Sequence, residues 1–429
     1  MRIIDAEKNP RQAEKFLSYA STGDDRRESA VKTILGGVRK SGDKAVIEFT
    51  RKFDGVTLKP SQFRMPQSRL RECWDELAPD QRKAMKLAAQ RIKAFHVRQK
   101  RRSWTLSDKI GARITQRVLP LDSVGICVPG GLAPLPSTVL MCAIPAKAAG
   151  VRRIVMITPP PREGRLNTAN FAAAWLAGVD EVYQIGGAQA VAALAYGTKT
   201  IPRVDKIVGP GNVYVALAKR LLYGVINIDS VAGPSEILVI ADKKSNPAFV
   251  ASDLLSQAEH DPDAIPICVF IGSQSGAQAI ADEVLRQTQN APRKAVIRQS
   301  LKKSGAILRV KTRAEAVALT EKRAPEHLSI QTERPRELAA AIHNAGSIFI
   351  GPWTPESVGD YTVGANHVLP TGGTARFFSP LSVDDYMTHS QLIECGRKGL
   401  ERLGAATIEM AEMEGLHAHA EAVRVRLKK

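Results

Sequence analysis

The 429-residue sequence is poor in cysteine, aromatics and histidine. Its five cysteines, Cys73, Cys127, Cys142, Cys268 and Cys395, are scattered and odd in number, with no C-x-x-C pair. That excludes a disulfide scaffold and a thiolate metal centre, and it fits a reduced, cytoplasmic chain. No uninterrupted apolar run reaches the roughly 18 residues that a membrane-spanning helix needs. Met1 to Lys8 shows no basic start followed by an apolar core, so no secretory signal is expected. Acidic residues are also in deficit: 43 Asp and Glu face 61 Lys and Arg, a formal net charge of +18. Such a balance raises nucleic acid or an anionic surface as a partner. Aromatics are only 5%, however, and no Lys/Arg tract alternates with them. The densest run (Lys93, Arg98, Lys100, Arg101, Arg102) ends a helical stretch. A solvated basic surface is therefore the reading, and neither nucleic acid nor membrane is expected as a partner.

Beyond these absences the composition is that of an ordinary globular chain, 44% apolar and 24% charged, long enough for roughly three folding units. The first hundred residues read as helical. Ser29 to Phe49 places Val31, Ile34, Leu35, Val38, Val46 and Ile47 at helical intervals, and Pro79-Asp80 opens a second long helix. Asp108 to Val118 alternates like a strand, with Gly111 marking a turn. From Ser123 onward, short Val/Ile runs alternate with Ala-rich helices. Strands at 124–128, 153–157, 181–185 and 206–208 each run into a turn-rich loop and then a helix, which argues for a parallel α/β sheet. A second α/β set follows, with strands at 237–241, 265–271, 306–310, 328–330 and 347–350. After Gly351 the pattern loosens into a polar loop as far as about Ser379, and 398–426 is helical again.

Four histidine-bearing strings could carry chemistry. Gln257 and His260, three apart at a helix end, project from one face and suit zinc or a harder divalent ion, although a histidine there also complements the helix dipole. Glu326-His327 offers two acid–base groups of different pKa, provided a turn brings both to one side; a surface pair is the alternative. Glu356 to Tyr361, with Asp360, and Asn366-His367 lie in the long loop, and a loop of that length in a compact domain is usually functional or disordered. Glu414-Gly415-Leu416-His417-Ala418-His419 joins two helices and reads either as a ligand pair or as an ordinary turn. Pro129-Gly130-Gly131, Gly186-Gly187-Ala188-Gln189 and Gly209-Pro210-Gly211-Asn212 each end a strand and open a helix, the geometry that admits phosphate. None is G-x-G-x-x-G, and no G-x-x-x-x-G-K-[ST] occurs. Gly233-Pro234-Ser235-Glu236 is not a G-x-S-x-G nucleophile elbow.

Together these strings resemble the histidinol dehydrogenase family. The resemblance runs from about Val118 to Arg426, on Pro129-Gly130-Gly131, Gly186 to Ala190, Gly209 to Asn212, Ala232 to Glu236, Leu255 to His260, Ala324 to Leu328 and Asn366 to Thr371, all in the family's order. It implies an α/β fold of two incomplete Rossmann-like parallel-sheet domains, with an N-terminal helical arm (1–22) and a C-terminal helical tail (379–429) that reaches a partner subunit. The cofactor-binding domain would be 123–236, and 23–122 with 237–378 would form a discontinuous domain holding metal and catalytic residues. The resemblance further implies a zinc-dependent enzyme that oxidises L-histidinol to L-histidine in two NAD-linked steps.

By the same resemblance the zinc ligands fall on Gln257, His260, Asp360 and His419, the last supplied across a homodimer interface. His327 is the base and Glu326 the activator of water. Ser235, His367 and Glu414 hold substrate, and Cys127, Gln189 and Asn212 face the cofactor. The chain departs from the family at Cys127, where a tyrosine is usual, and at Leu135, where an aromatic is common. Oxidation of another small polar alcohol on this fold is the nearest alternative. A basic nucleic-acid-binding protein on a retired scaffold is the alternative from a different class, although the intact Glu326 and His327 speak against it.

Overall fold

Two sets of buried, β-branched runs build two parallel sheets in the computed structural model, which describes residues 1–19, 25–130, 134–161 and 167–428. The first sheet holds, in spatial order, Arg64–Met65, Glu181–Tyr183, Arg153–Ile157, Ser123–Cys127, Lys206–Val208 and Asn227–Ile228. All are parallel except the antiparallel edge strand Arg64–Met65. Its central strand, Ser123–Cys127, is buried throughout, as expected of a parallel strand covered by helices on both faces. The second sheet runs Arg2–Asp5, Ala306–Val310, Ile265–Ile271, Glu236–Asp242, His327–Ile330 and Ser347–Ile350, all parallel.

One order underlies both. Apart from the edge strand contributed from the N-terminal region, each sheet places its first, second and third strands to one side and its fourth and fifth to the other. That is the Rossmann-like arrangement, and it leaves a switch point between the first and fourth strands where ligands bind. The expected α/β class of two such sheets is what the structure has.

Three expectations about the first hundred residues change. Arg2–Asp5 is a strand, paired in register with 306–309, and within 1–19 only Pro10–Leu17 is helical. The expected boundary after residue 22 lies outside the described residues. Ser29 to Phe49 is two helices, Asp25–Ser41 and Asp43–Asp54, because Gly42 adopts a positive φ of 52° between them. These helices, with Gln67–Glu76 and Pro79–His96, pack mainly on helices of the first sheet, whereas the sequence grouped them with 237–378; of the four, Pro79–His96 also touches 363–366. The cause is apolar: Val31, Ile34, Leu35, Val38 and Val46 bury against Leu194, Leu217 and Leu222 of that layer. The loop expected after Gly351 contains a short helix, Glu356–Tyr361, and a turn at Thr374–Arg376.

By contacts the chain forms two units, Met1–Gln99 with Asp122–Tyr386, and Lys100–Leu121 with Met387–Lys429. In the second, the stretch read as one strand over 108–118 is a hairpin of Trp104–Ser107 and Ala112–Pro120, turning at the expected Gly111, whose φ is 101°. The Asp108 carboxylate accepts from the amides of Ile110, Gly111 and Ala112 to close the turn. Met387–Cys395 adds a third antiparallel strand that periodicity does not reveal. Helices Arg397–Met413 and His417–Leu427 then pack on each other. The expected helical tail is thus a strand followed by a helix pair. Within this unit Trp104, Leu106, Ile393 and Met413 stand more than half exposed. Among the described residues no helix is long and apolar enough to cross a membrane.

Candidate active site

The acid–base pair sits at the amino-terminal edge of the second sheet. The helix Arg313–Arg323 ends at Ala324, the one non-glycine residue with positive φ (46°) among the described residues. That left-handed cap and Pro325 turn the chain sharply, so Glu326 precedes the strand and His327 opens it. Adjacent residues of a continuous strand would point apart. Here Glu326 Oε2 lies 3.6 Å from His327 Nδ1, and both side chains are buried. His327 Nδ1 is 3.1 Å from the Glu236 carbonyl oxygen, which can only accept. In the neutral ring the proton is therefore on Nδ1, and Nε2 carries the lone pair.

Nε2 faces the helix Glu356–Tyr361, 3.4 Å from Asp360 Oδ1 and 3.8 Å from Glu356 Oε1. Glu356 and Asp360, one helical turn apart, share a face. Ser256 donates to Glu356 Oε2 at 2.7 Å, tying that helix to Pro247–Ala258 and so to Gln257. His367 Nδ1 donates to the Asp360 carbonyl at 2.9 Å, and its Nε2 lies 3.4 Å from Thr138 Oγ1, at the start of the helix Pro136–Ala149.

The electrostatics are those of a shared charge site. Burial opposes a charged His327, but the carboxylates of Glu326, Asp360 and Glu356 outweigh it and raise its pKa well above the ordinary value. Burial and the neighbouring Asp360 push Glu356 up to about 8. Burial also works against an ionised Asp360, yet the His327 imidazole beside it, the charge of His367 and the neighbouring Glu356 hold it down at about 2. Two buried carboxyls this close do not both ionise freely.

Three polar atoms here are buried without a hydrogen-bond partner among the described residues: Gln257 Oε1, His327 Nε2 and Glu356 Oε1. Each such group costs about 1–3 kcal/mol unless something satisfies it. Donor atoms of His327, Glu356 and Asp360 lie within 4.8 Å of one another. This nitrogen and oxygen set fits a divalent cation such as zinc, and it equally fits a polar substrate. His260 is exposed on the turn after the Gln257 helix and is not part of this buried group. Glu414 and His419 belong to the second unit and are exposed there. Ser235 is half-buried just before the strand Glu236–Asp242. Sequence reading did not assign Glu356 a role; its four-residue spacing from Asp360 was the available signal, hidden because the segment read as loop.

The second element is a cavity of about 770 Å³ at the carboxyl ends of the first sheet's strands. Cys127, Gly130, Gly186, Gly187, Gln189, Gly211 and Asn212 line one side; Thr33, Phe49, Lys52, Phe53 and Asp54 line the other. All three expected cofactor-facing residues are therefore together, while Gly131 of the first glycine loop lies outside the described residues. Asn212 caps the helix Val213–Leu222 by accepting from Tyr214 and Val215 amides. That N-terminus and the one at Gly187 open on the cavity, as anion binding requires. Gly209 has a φ of 97°, and a Cβ there would sit 2.5 Å from the Cys127 carbonyl oxygen. Its N–H donates to Asp229 Oδ2 at 2.7 Å and its C=O accepts from Lys219 Nζ at 2.9 Å. Lys219 and Asp229, both nearly inaccessible, are also paired with each other.

A nucleotide-sized cavity at a Rossmann-like switch point, within one structural unit with a buried imidazole base and a second carboxyl, makes this an α/β oxidoreductase of the dehydrogenase class. Comparison with known proteins narrows it. The histidinol dehydrogenase family profile matches residues 18–427. The histidinol dehydrogenase of Syntrophotalea carbinolica is 49% identical over 401 residues, covering 94% of this chain and 93% of that protein. That of Aquifex aeolicus is 46% identical over 430 residues, with 99% of each covered. The crystal structure of histidinol dehydrogenase from Elizabethkingia anophelis superposes with a TM-score of 0.91 at 36% identity, covering 99% of this chain and 97% of that one. The chain belongs to the histidinol dehydrogenase family.

Proposed function

We propose that the enzyme oxidises L-histidinol to L-histidine through the aldehyde, in two NAD-linked steps at a zinc-bearing site, within histidine biosynthesis in the cytoplasm. The observation that carries this reading is the pairing of His327 and Glu326, 3.6 Å apart and both buried. A four-electron oxidation needs a base for the alcohol and a group to activate water for the aldehyde, and one residue of each kind is held here.

Bound NAD would supply the hydride acceptor, and bound zinc would orient the substrate's nitrogens as a Lewis acid. Gln257, whose Oε1 has no partner among the described residues, would hold the metal with His260, Asp360 and the partner subunit's His419. Gln189, Asn212 and Cys127 would face the cofactor in the 770 Å³ cavity. In the first oxidation His327 Nε2 takes the alcohol proton, because Nδ1 is already committed to the Glu236 carbonyl. In the second, Glu326 withdraws a proton from the water that adds to the aldehyde while His327 returns its proton to the carbonyl oxygen, and His327 then takes a hydroxyl proton of the hydrate as the second hydride leaves. Ser235, His367 and Glu414 would hold the substrate's polar ends. A homodimer with shared sites is supported by the exposed apolar residues of the unit that carries Glu414 and His419.

The test is NADH formation from L-histidinol with added zinc, with histidine quantified by chromatography. Two NADH per histidine, abolished by a chelator, is the expected result. Turnover confined to a different small alcohol would overturn the substrate.

A further inference from the structure

We propose that Glu236 is a positioning residue for both oxidations, its carboxylate anchored by Arg323 and Tyr19 so that its peptide groups aim the catalytic pair. The inference rests on the two-step reading above, and it concerns residues to which neither sequence motif nor comparison gives a role. Every polar function of Glu236 is turned toward Glu326 and His327, or toward the anchor. Its N–H donates to Glu326 Oε2 at 2.8 Å. Its carbonyl accepts from His327 Nδ1 at 3.1 Å. Its Oε1 accepts the Glu326 backbone N–H at 3.2 Å. One residue thereby sets the carboxylate orientation of Glu326, the position of its backbone and the tautomer of His327.

The anchor explains how a strand's first residue stays fixed. Glu236 Oε2 is ion-paired with Arg323, and both side chains are almost fully buried. Arg323 donates to the Phe16 carbonyl at 3.1 Å, and its guanidinium stands 4.2 Å from the Tyr19 ring centroid. The Tyr19 hydroxyl donates to the Arg323 carbonyl and lies 3.4 Å from Glu236 Oε1. Arg323 is also the last residue of the helix whose strained cap, Ala324, turns the chain into Glu326. The ion pair thus joins the two points from which the catalytic residues depart. Buried ion pairs add little net stability over apolar replacements, so fixing geometry is the use this one is suited to.

Variants at this pair separate positioning from folding. Glu236→Gln leaves Arg323 buried and unpaired, and is expected to be destabilised. Glu236→Gln with Arg323→Met removes the stray charge and is expected to recover thermal stability. The rates of the two oxidations are measured separately, starting from histidinol and from its aldehyde. Their ratio does not depend on the fraction of enzyme that is folded. Glu326 carries two of the three contacts, so the second-to-first ratio is expected to fall at least fivefold in the single variant and to stay low in the double one. A ratio that returns to the wild-type value in the double variant would reduce Glu236 to a structural role and overturn the proposal. An independent readout is the imidazole ¹⁵N spectrum of His327, assigned by its loss in His327→Ala. At a pH where the ring is neutral, wild type is expected to hold the Nδ1–H form and the double variant to exchange between tautomers. A fixed tautomer in both would also overturn the proposal. Wild-type enzyme inert toward histidinol would refute the substrate reading, while the spectrum would still decide the positioning.

Discussion

Asp253→Asn should make this protein more stable, and the gain should depend on pH. Asp253 lies on the helix Pro247–Ala258, almost fully buried. Its Oδ2 accepts from Ser329 Oγ at 2.9 Å and from Gln331 Nε2 at 2.7 Å. Burial outweighs these two bonds and pushes its carboxyl up from the ordinary 3.8 to about 6. A carboxyl with its folded pKa above its unfolded one leaves stability untouched below the unfolded value and erodes it as pH rises through the folded value. At about 1.4 kcal/mol per pKa unit, keeping this group ionised near pH 8 costs the folded state about 3 kcal/mol. Near pH 5, where the folded form is mostly protonated, linkage leaves about half of that. An asparagine oxygen can accept the same two bonds and never ionises. Unfolding entropy is about 2.1 cal/mol/K per residue, so for a chain of 429 residues the gain amounts to roughly 3 °C at pH 8. Calorimetric scans of both proteins at the two pH values check this. An equal shift at both, or none at pH 8, would refute the argument that burial of the charge is the source.

Other outcomes follow from the site. Glu326→Gln should slow the second oxidation more than the first, seen as aldehyde accumulation; equal loss in both would undo the division of labour. His419→Ala should lose metal and activity together, and mixing it with His327→Ala chains should restore activity. Verified mixed dimers with no activity would exclude a shared site. Gly209→Ala forces a side chain into a left-handed backbone at about 1–3 kcal/mol and against the Cys127 carbonyl. Its NAD affinity, by fluorescence titration, should fall at least about tenfold. Lys219→Met strands a buried Asp229 and should lower stability by about 3–5 kcal/mol, measured as a lower urea midpoint; an unchanged midpoint would show that the pair is dispensable.

Much of the fold was legible because its signals are local. Strands such as Arg153–Ile157, Lys206–Val208 and Ile265–Ile271 are bounded by turn residues and buried on both faces, so their apolar runs declare themselves. The glycine loops that line the cavity were readable for the same reason: a tight turn into a helix demands those residues at those places. Met387–Cys395 was not readable, because most of it is exposed and its partner lies more than 260 residues away in sequence. Arg2–Asp5 was missed likewise, since an edge strand of four residues has too few positions to show a period.

The sequence by itself determined the element types, the acid–base inventory of Glu326 and His327, and the order of motifs that marks the family, because each rests on residue identity and short spacing. Only the tertiary structure decided that helices 25–96 cover the first sheet, where their apolar stripes find a matching core. It alone decided that Glu356 joins Asp360 beside His327, and that Glu236, Arg323 and Tyr19, from three distant segments, converge behind the catalytic pair. Those meetings depend on how two sheets and a strained turn bring remote side chains within a few ångströms, which no local pattern encodes.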